Sequence, residues 1–275
     1  MGIEPVALDS RARGGGKLVV AGVSKRFGHG RDAVVALEPI DLAVQAGDFV
    51  CIVGPSGCGK STLLNIVAGF ETPTAGQATL DGAVIRAPGP ERGVVFQQGA
   101  LFTWMSVVDN VAFGPRALGK PAAEARDIAM RYLELVGLAG FARRYPYELS
   151  GGMQQRAGIA RALANEPEVL LMDEPFAALD AQTREIMQTE LLRIWEQGRK
   201  TVLFVTHQID EAVFLSDCVL VFARRPGRLQ ESIEIKLPRP RALALKRTPE
   251  FIAYVDRIWT MIEHDVRAAV IEEHA

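Results

Sequence analysis

The chain has 275 residues, 48% of them hydrophobic, and 31 Lys and Arg face 33 Asp and Glu for a formal net charge of −2. That length holds one large domain or two small ones around a substantial core, and near-neutrality argues against a nucleic-acid binder acting through bulk charge. No apolar run reaches the roughly 18 residues that would suggest a membrane span, and the opening MGIEPVALDSRARGGGK has neither the apolar segment of a secretory signal nor a Ser or Thr at its sixth position for myristoylation.

Residues 1–16, ending in Gly14-Gly15-Gly16, read as a mobile leader. Residues 17–20 and 48–53 read as strands, and 62–68 as a helix stopping near Gly69. Another short strand covers 92–96. Residues 122–138 look helical, with Ile128, Tyr132 and Leu135 on one stripe, and a further helix should start close to Ser150. Val169 to Met172 is fully apolar, as suits a parallel strand buried on both faces. Residues 183–197 are helical in pattern, with Met187, Leu191 and Ile194 at helix spacing; 201–206 is a strand, and 219–222 reads as the last one. The alternation implies an α/β fold with a mainly parallel sheet. Beyond Pro238 and Pro240, Thr248-Pro249-Glu250 is a helix start, and Phe251, Val255, Ile258, Ile262 and Val266 follow on one face. The three cysteines, Cys51, Cys58 and Cys218, form no CxxC pair, which reads as a reduced cytosolic protein without structural zinc.

Chemistry concentrates in three separated motifs. Gly54-Pro55-Ser56-Gly57-Cys58-Gly59-Lys60-Ser61, followed by Thr62, fits the phosphate-loop pattern between a strand and a helix. Backbone N–H groups at a helix start bind phosphate oxygens, Lys60 adds charge for the β- and γ-phosphates of ATP, and Ser61 can ligate Mg²⁺. A chance match in a glycine-rich turn would lack that flanking strand and helix. Asp173 ends an apolar strand, where a carboxylate can hold Mg²⁺, and Glu174 beside it can orient or deprotonate a water. Acids also decorate helix starts for no catalytic reason; the phosphate loop tips the balance. The third motif is Leu149-Ser150-Gly151-Gly152, an anion site at a helix start, or, standing alone, a mere helix cap.

With these motifs the chain resembles the ATP-binding subunits of ABC transporters over about residues 17–230. Leu149-Ser150-Gly151-Gly152 is similar to the family's signature. Gln97 matches its Q-loop, Ala178-Leu179-Asp180 its D-loop and His207 its switch histidine. Phe27 stands where an aromatic ring stacks on adenine. Met153, Gln208 and Ala178 depart from the commonest residues without removing a group the chemistry needs. The resemblance implies a P-loop core with an antiparallel β portion near the N-terminus and a helical subdomain inserted between Q-loop and signature, about 98–160. It implies an ATP-binding domain over 17–231 and a C-terminal extension over 232–275. Gln97 joins Ser61 and Asp173 as a Mg²⁺ ligand, and Gln97 and His207 join Glu174 in catalysis. Two copies of the chain sandwich ATP between the phosphate loop of one and Ser150, Gly151, Gly152 and Asp180 of the other.

Gly89 to Gln97, Trp104, Asp109 to Gly114, Glu211 to Asp217 and Arg225 to Arg228 are similar to importers of nitrate, aliphatic sulfonates and taurine. That subgroup implies membrane permease subunits, a soluble substrate-binding protein, and a peripheral place on the cytoplasmic face of the inner membrane, with no nucleic acid. Leu101, Phe102, Trp104, Met105 and Val107 form an apolar loop suited to a partner, or else they pack inside the helical portion. Two rivals stand beside this reading. A soluble ABC-type ATPase would lack a permease partner, and a P-loop kinase would need an arginine-rich lid and no signature.

Overall fold

The structure is a computed structural model that describes residues 17–28, 30, 33–97, 100–224 and 226–273. The expected leader 1–16 and Arg225 lie outside the described residues. The strands are β1 (Leu18–Phe27), β2 (Val34–Val44), β3 (Phe49–Val53), β4 (Ala75–Leu80), β5 (Ala83–Val84), β6 (Arg92–Val95), β7 (Val169–Asp173), β8 (Thr201–Thr206), β9 (Cys218–Ala223) and β10 (Arg228–Glu234). The α-helices are α1 (Lys60–Ala68), α2 (Val107–Ala117), α3 (Ala122–Leu135), α4 (Gly151–Ala164), α5 (Ala181–Gly198), α6 (Ile209–Leu215) and α7 (Pro249–Glu273). The chain forms two compact units, Met1–Gly89 with Thr201–Ala275, and Pro90–Lys200.

In the first unit β1 pairs antiparallel with β2 and β4, and β4 with β5. β2 escapes a periodicity reading because Glu38-Pro39 interrupts it. Proline lacks a ladder donor and suits an edge strand, which is where β2 lies. Irregularities in the β1–β2 register bring Leu37, Ile40, Leu42 and Val44 all to the buried side. β3 runs parallel to β8 and β9, and every residue of β3 and β8 is buried. Such continuous apolar strands need cover on both faces. Residues 219–222 are not the last strand, because β10 returns antiparallel on β9. Its exposed Arg228, Gln230, Glu234 and half-buried neighbours mask the alternation.

α7 begins as its sequence predicts: Phe251 N donates to Thr248 Oγ1 at 3.3 Å. Phe251, Ile258 and Ile262 are buried and Val255 half-buried. The side chain of Val266 lies outside the described residues.

In the second unit β6 and β7 are parallel, and α2, α3 and α4 pack on one another. α2 lies within the expected helical subdomain, but no residue pattern marks its bounds, because Gly114-Pro115 inside it looks like a break. Ser106 caps it, accepting from Asp109 N at 3.2 Å. α3 stops short of the expected end at 138, because Gly137 adopts a left-handed φ of 69°. Its buried face is Ala125, Ala129 and Leu133, with Ile128, Tyr132 and Leu135 only half-buried beside it.

Candidate functional site

The phosphate loop leaves the carboxyl end of β3. Val53 stands opposite Thr206 of β8 and Val221 of β9, so Gly54 and His207 emerge at one edge of the parallel strands. Packing dictates the glycines here. A Cβ on Gly54 would lie 2.6 Å from Phe222 O and 2.8 Å from Cys58 Sγ. Gly57 and Gly59 take left-handed φ values of 76° and 84°, which L side chains rarely adopt. Lys60 is 6% exposed, and its Nζ donates to Gly54 O at 2.7 Å and Pro55 O at 3.0 Å. The ammonium therefore holds the loop in a ring with its own carbonyls. Burial pushes the Cys58 thiol up, so it stays neutral beside that ammonium.

No side chain caps α1; Gly59 occupies that place. Pro55 is buried, Ser56 and Ser61 are exposed, and Thr62 is half-buried. His207 is exposed just past β8, where Gln208 N donates to Thr206 Oγ1 at 3.0 Å. Phe27 ends β1, 43% exposed, with Lys25 Nζ 4.9 Å above its ring. Lys25 also pairs with Glu71 at 2.6 Å, and that hydrogen bond holds the Glu71 carboxyl below its usual range. A ring with one open face and a cation at the other suits a stacking base.

The second unit gathers the remaining residues. Val95 stands opposite Met172, so Phe96-Gln97 and Asp173-Glu174 leave their strands side by side. Gln97 Nε2 donates to Glu174 Oε2 at 3.3 Å. Asp173 and Glu174 are half-buried, and Glu174 has φ 45°, a left-handed backbone without being glycine. Ser150 caps α4, its Oγ accepting from Met153 N at 3.3 Å. Asp180 caps α5, accepting from Thr183 N at 2.9 Å, and its hydrogen bonding with Thr183 keeps its carboxyl below the usual range. A Cβ on Gly152 would meet Leu179 Cδ2 at 2.9 Å, so this glycine lets α4 approach the turn before α5. Arg184 donates to Phe176 O at 3.3 Å and Leu179 O at 2.8 Å, fixing that turn from behind.

Gln155 carried no motif signal. It is 1% exposed and donates to Phe96 O at 3.0 Å, tying α4 to the residue before Gln97. Lys25 carries no motif either, although its i, i+2 spacing from Phe27 on β1 puts both side chains on one face.

The residues 101–107 resolve into two groups. Val107 is buried as the first residue of α2, so of the two readings of this stretch it follows the packed one. Trp104 is 72% exposed, with Phe102 5.4 Å from it and 4.9 Å from Phe113, itself exposed. Fully buried Asn110 holds this turn: Nδ2 donates to the carbonyls of Phe102, Met105 and Ser106 at 3.0, 3.1 and 3.0 Å, and Oδ1 accepts from Phe102 N at 2.7 Å.

Taken one by one, the expected Mg²⁺ ligands carry the hard oxygen donors that this ion prefers. Ser61 offers a hydroxyl, Asp173 a carboxylate, and Gln97 an amide oxygen, its nitrogen being engaged with Glu174. No helix among the described residues is long and apolar enough to cross a membrane.

Comparison with known proteins gives a consistent picture. Residues 37–177 match a family described as ABC transporter. The chain is 51% identical over 250 residues to an uncharacterized ABC transporter ATP-binding protein of Methanocaldococcus jannaschii, covering 91% of this chain and 92% of that one. It is 46% identical over 251 residues to a nitrate import ATP-binding protein of Synechocystis, covering 89% and 94%. It is 52% identical over 207 residues to a taurine import ATP-binding protein of Roseobacter denitrificans, covering 75% and 76%. Among solved structures, a dimeric ATP-binding cassette in a post-hydrolysis state with ADP and Pi superposes with TM-score 0.73 at 32% identity. That match covers 80% of this chain and 100% of the other.

Proposed function

The chain belongs to the ABC transporter family of ATP-binding proteins, and from that premise we propose that it hydrolyses ATP to energise an importer of nitrate-, sulfonate- or taurine-like anions. The observation that carries the ATPase reading is the phosphate loop, a glycine cradle closed by the buried ammonium of Lys60. The relatives named for nitrate and taurine import support the cargo class.

Each residue has a role in this reading. The loop Gly54 to Thr62 cradles the phosphates through its backbone N–H groups, Pro55 having none, and Lys60 exchanges a loop carbonyl for a phosphate oxygen. Phe27 stacks on adenine. Ser61, Gln97 and Asp173 would hold Mg²⁺, which would supply charge neutralisation for the bound triphosphate. Glu174 accepts the proton of the water that attacks the γ-phosphorus, and His207 aligns the γ-phosphate; ADP and inorganic phosphate leave. Ser150, Gly151, Gly152 and Asp180 act on the nucleotide held by a second copy, a reading favoured by the dimeric cassette structures. Positioning and charge stabilisation supply most of the rate.

The partners are membrane permease subunits and, through them, a soluble binding protein. The chain sits as a peripheral subunit at the cytoplasmic face of the membrane. Its domains are a leader 1–16, an ATP-binding domain 17–231 with a helical subdomain about 98–160, and an extension 232–275. The names of the relatives do not favour a soluble, non-transport ATPase.

Reconstitution with the permease in liposomes tests the reading. Labelled taurine or nitrate should enter only with ATP inside the compartment holding this chain, and Lys60→Ala should stop both uptake and hydrolysis. ATP hydrolysis surviving in Lys60→Ala would overturn the assignment.

A further inference from the structure

The extension after β10 turns back onto α6, within the first unit. Arg241 is 5% exposed, and its Nη1 donates to Val213 O at 3.1 Å, Phe214 O at 3.0 Å and Ser216 O at 2.7 Å. Arg239 donates from Nη2 to Leu215 O at 2.8 Å and from Nε to Asp217 Oδ1 at 2.9 Å. The other oxygen of Asp217 accepts from Phe49 N at 3.0 Å, at the foot of β3. Lys246 lies 3.6 Å from the Asp210 carboxylate in the first turn of α6, and 5.0 Å over the Phe214 ring. The extension thus grips this helix at both ends.

α6 has seven residues, and no side chain caps its start at Gln208. So short a helix does not hold itself, because nucleation is costly and its last four carbonyls lack intrahelical partners. Two guanidinium groups at that end supply donors and favourable charge. One residue, Gln208, separates α6 from His207, so whatever fixes α6 fixes the histidine. The electrostatics agree: burial chiefly pushes the Cys51 thiol up, Glu211 adds to it, and Ser216 and Arg241 oppose it. α6, the guanidinium and β3 therefore share one neighbourhood, and β3 leads to Gly54.

We propose that Arg241 is a positioning residue for ATP hydrolysis, holding α6 so that His207 stands in register with the phosphate loop. The proposal rests on the reading of His207 as the group that aligns the γ-phosphate. The C-terminal extension is then part of the hydrolytic machinery rather than an appendage to it.

The test is a double-mutant cycle on the full chain assembled with its permease, with kcat, KM, ATP affinity and thermal melting measured for each variant. Arg241→Ala should lower kcat about tenfold or more, as sub-ångström misplacement of a reacting group does, and leave ATP affinity unchanged. Arg241→Lys should recover part of that rate. In a His207→Ala background, Arg241→Ala should cost nothing further. Multiplicative losses in the double variant, or equal loss of affinity and rate, would overturn the proposal. Full hydrolysis by His207→Ala alone would instead overturn the reading of the histidine, and the proposal with it. Should Arg241→Ala fail to fold, Lys246→Met carries the same cycle at the other end of α6.

Discussion

α1 and α4 both begin at glycine-bearing turns, yet the two starts are built in different ways. At α1 no side chain caps the first turn, and Gly54 and Gly59 are pressed against Phe222, Leu37 and Ala36. At α4 Ser150 caps the first turn, and a Cβ on exposed Gly151 would meet nothing within 4 Å. The first start is made rigid by its own unit. The second is capped by its own serine and its Gly151 is exposed. In the proposed function the first is a binding site in its own right and the second is half of one.

Paired substitutions test that contrast most strongly. Lys60→Ala should abolish ATP binding, whereas Ser150→Arg should bind ATP and fail to turn it over. Glu174→Gln should also bind ATP, lose about two to four decades in kcat, and accumulate as an ATP-bound dimer by size-exclusion chromatography. Normal turnover in Glu174→Gln would remove the carboxylate from the reaction. Mixing is sharper still. A dimer of Ser150→Arg with Lys60→Ala carries both lesions in one site and none in the other, so activity should return on mixing. Hydrolysis linear in chain concentration, with no dimer order, would show that α4 serves its own chain.

Trp104→Ala should weaken capture of the permease by about 2 kcal/mol or more in a pull-down titration while the ATPase of the isolated chain is unchanged. Loss of folding instead would make Trp104 a packing residue. The glycines give the mildest test. Gly59→Ala should destabilise the chain by about 1–3 kcal/mol in denaturant melts, from backbone strain. Gly151→Ala should be close to neutral, and a cost similar to that of Gly59→Ala would erase the contrast.

How legible each part was follows from the same physics. β3, β7 and β8 stand out because a strand covered on both faces is apolar along nearly its whole length, and the proposed catalytic groups leave from their ends. Helix starts announce themselves through Ser150, Asp180 and Thr248, whose side chains bond the first turn. β2 and α2 are hidden by Pro39 and Gly114-Pro115, which the surrounding structure tolerates at an edge strand and within a packed helix. Gln155 and Arg241 are invisible in the sequence because each acts through a carbonyl many residues away, and no local pattern records such a partner.

The left-handed backbone of Glu174 has an evolutionary consequence. A non-glycine residue at φ 45° costs on the order of 1 kcal/mol or more, and glycine there would relieve it. Glu174→Gly should therefore melt at a higher temperature than the parent while hydrolysing nothing. If Glu174 handles the attacking water as proposed, selection for stability alone would discard this glutamate and selection for turnover would keep it. Laboratory evolution toward thermostability, run without an activity screen, should then accept glycine at that position.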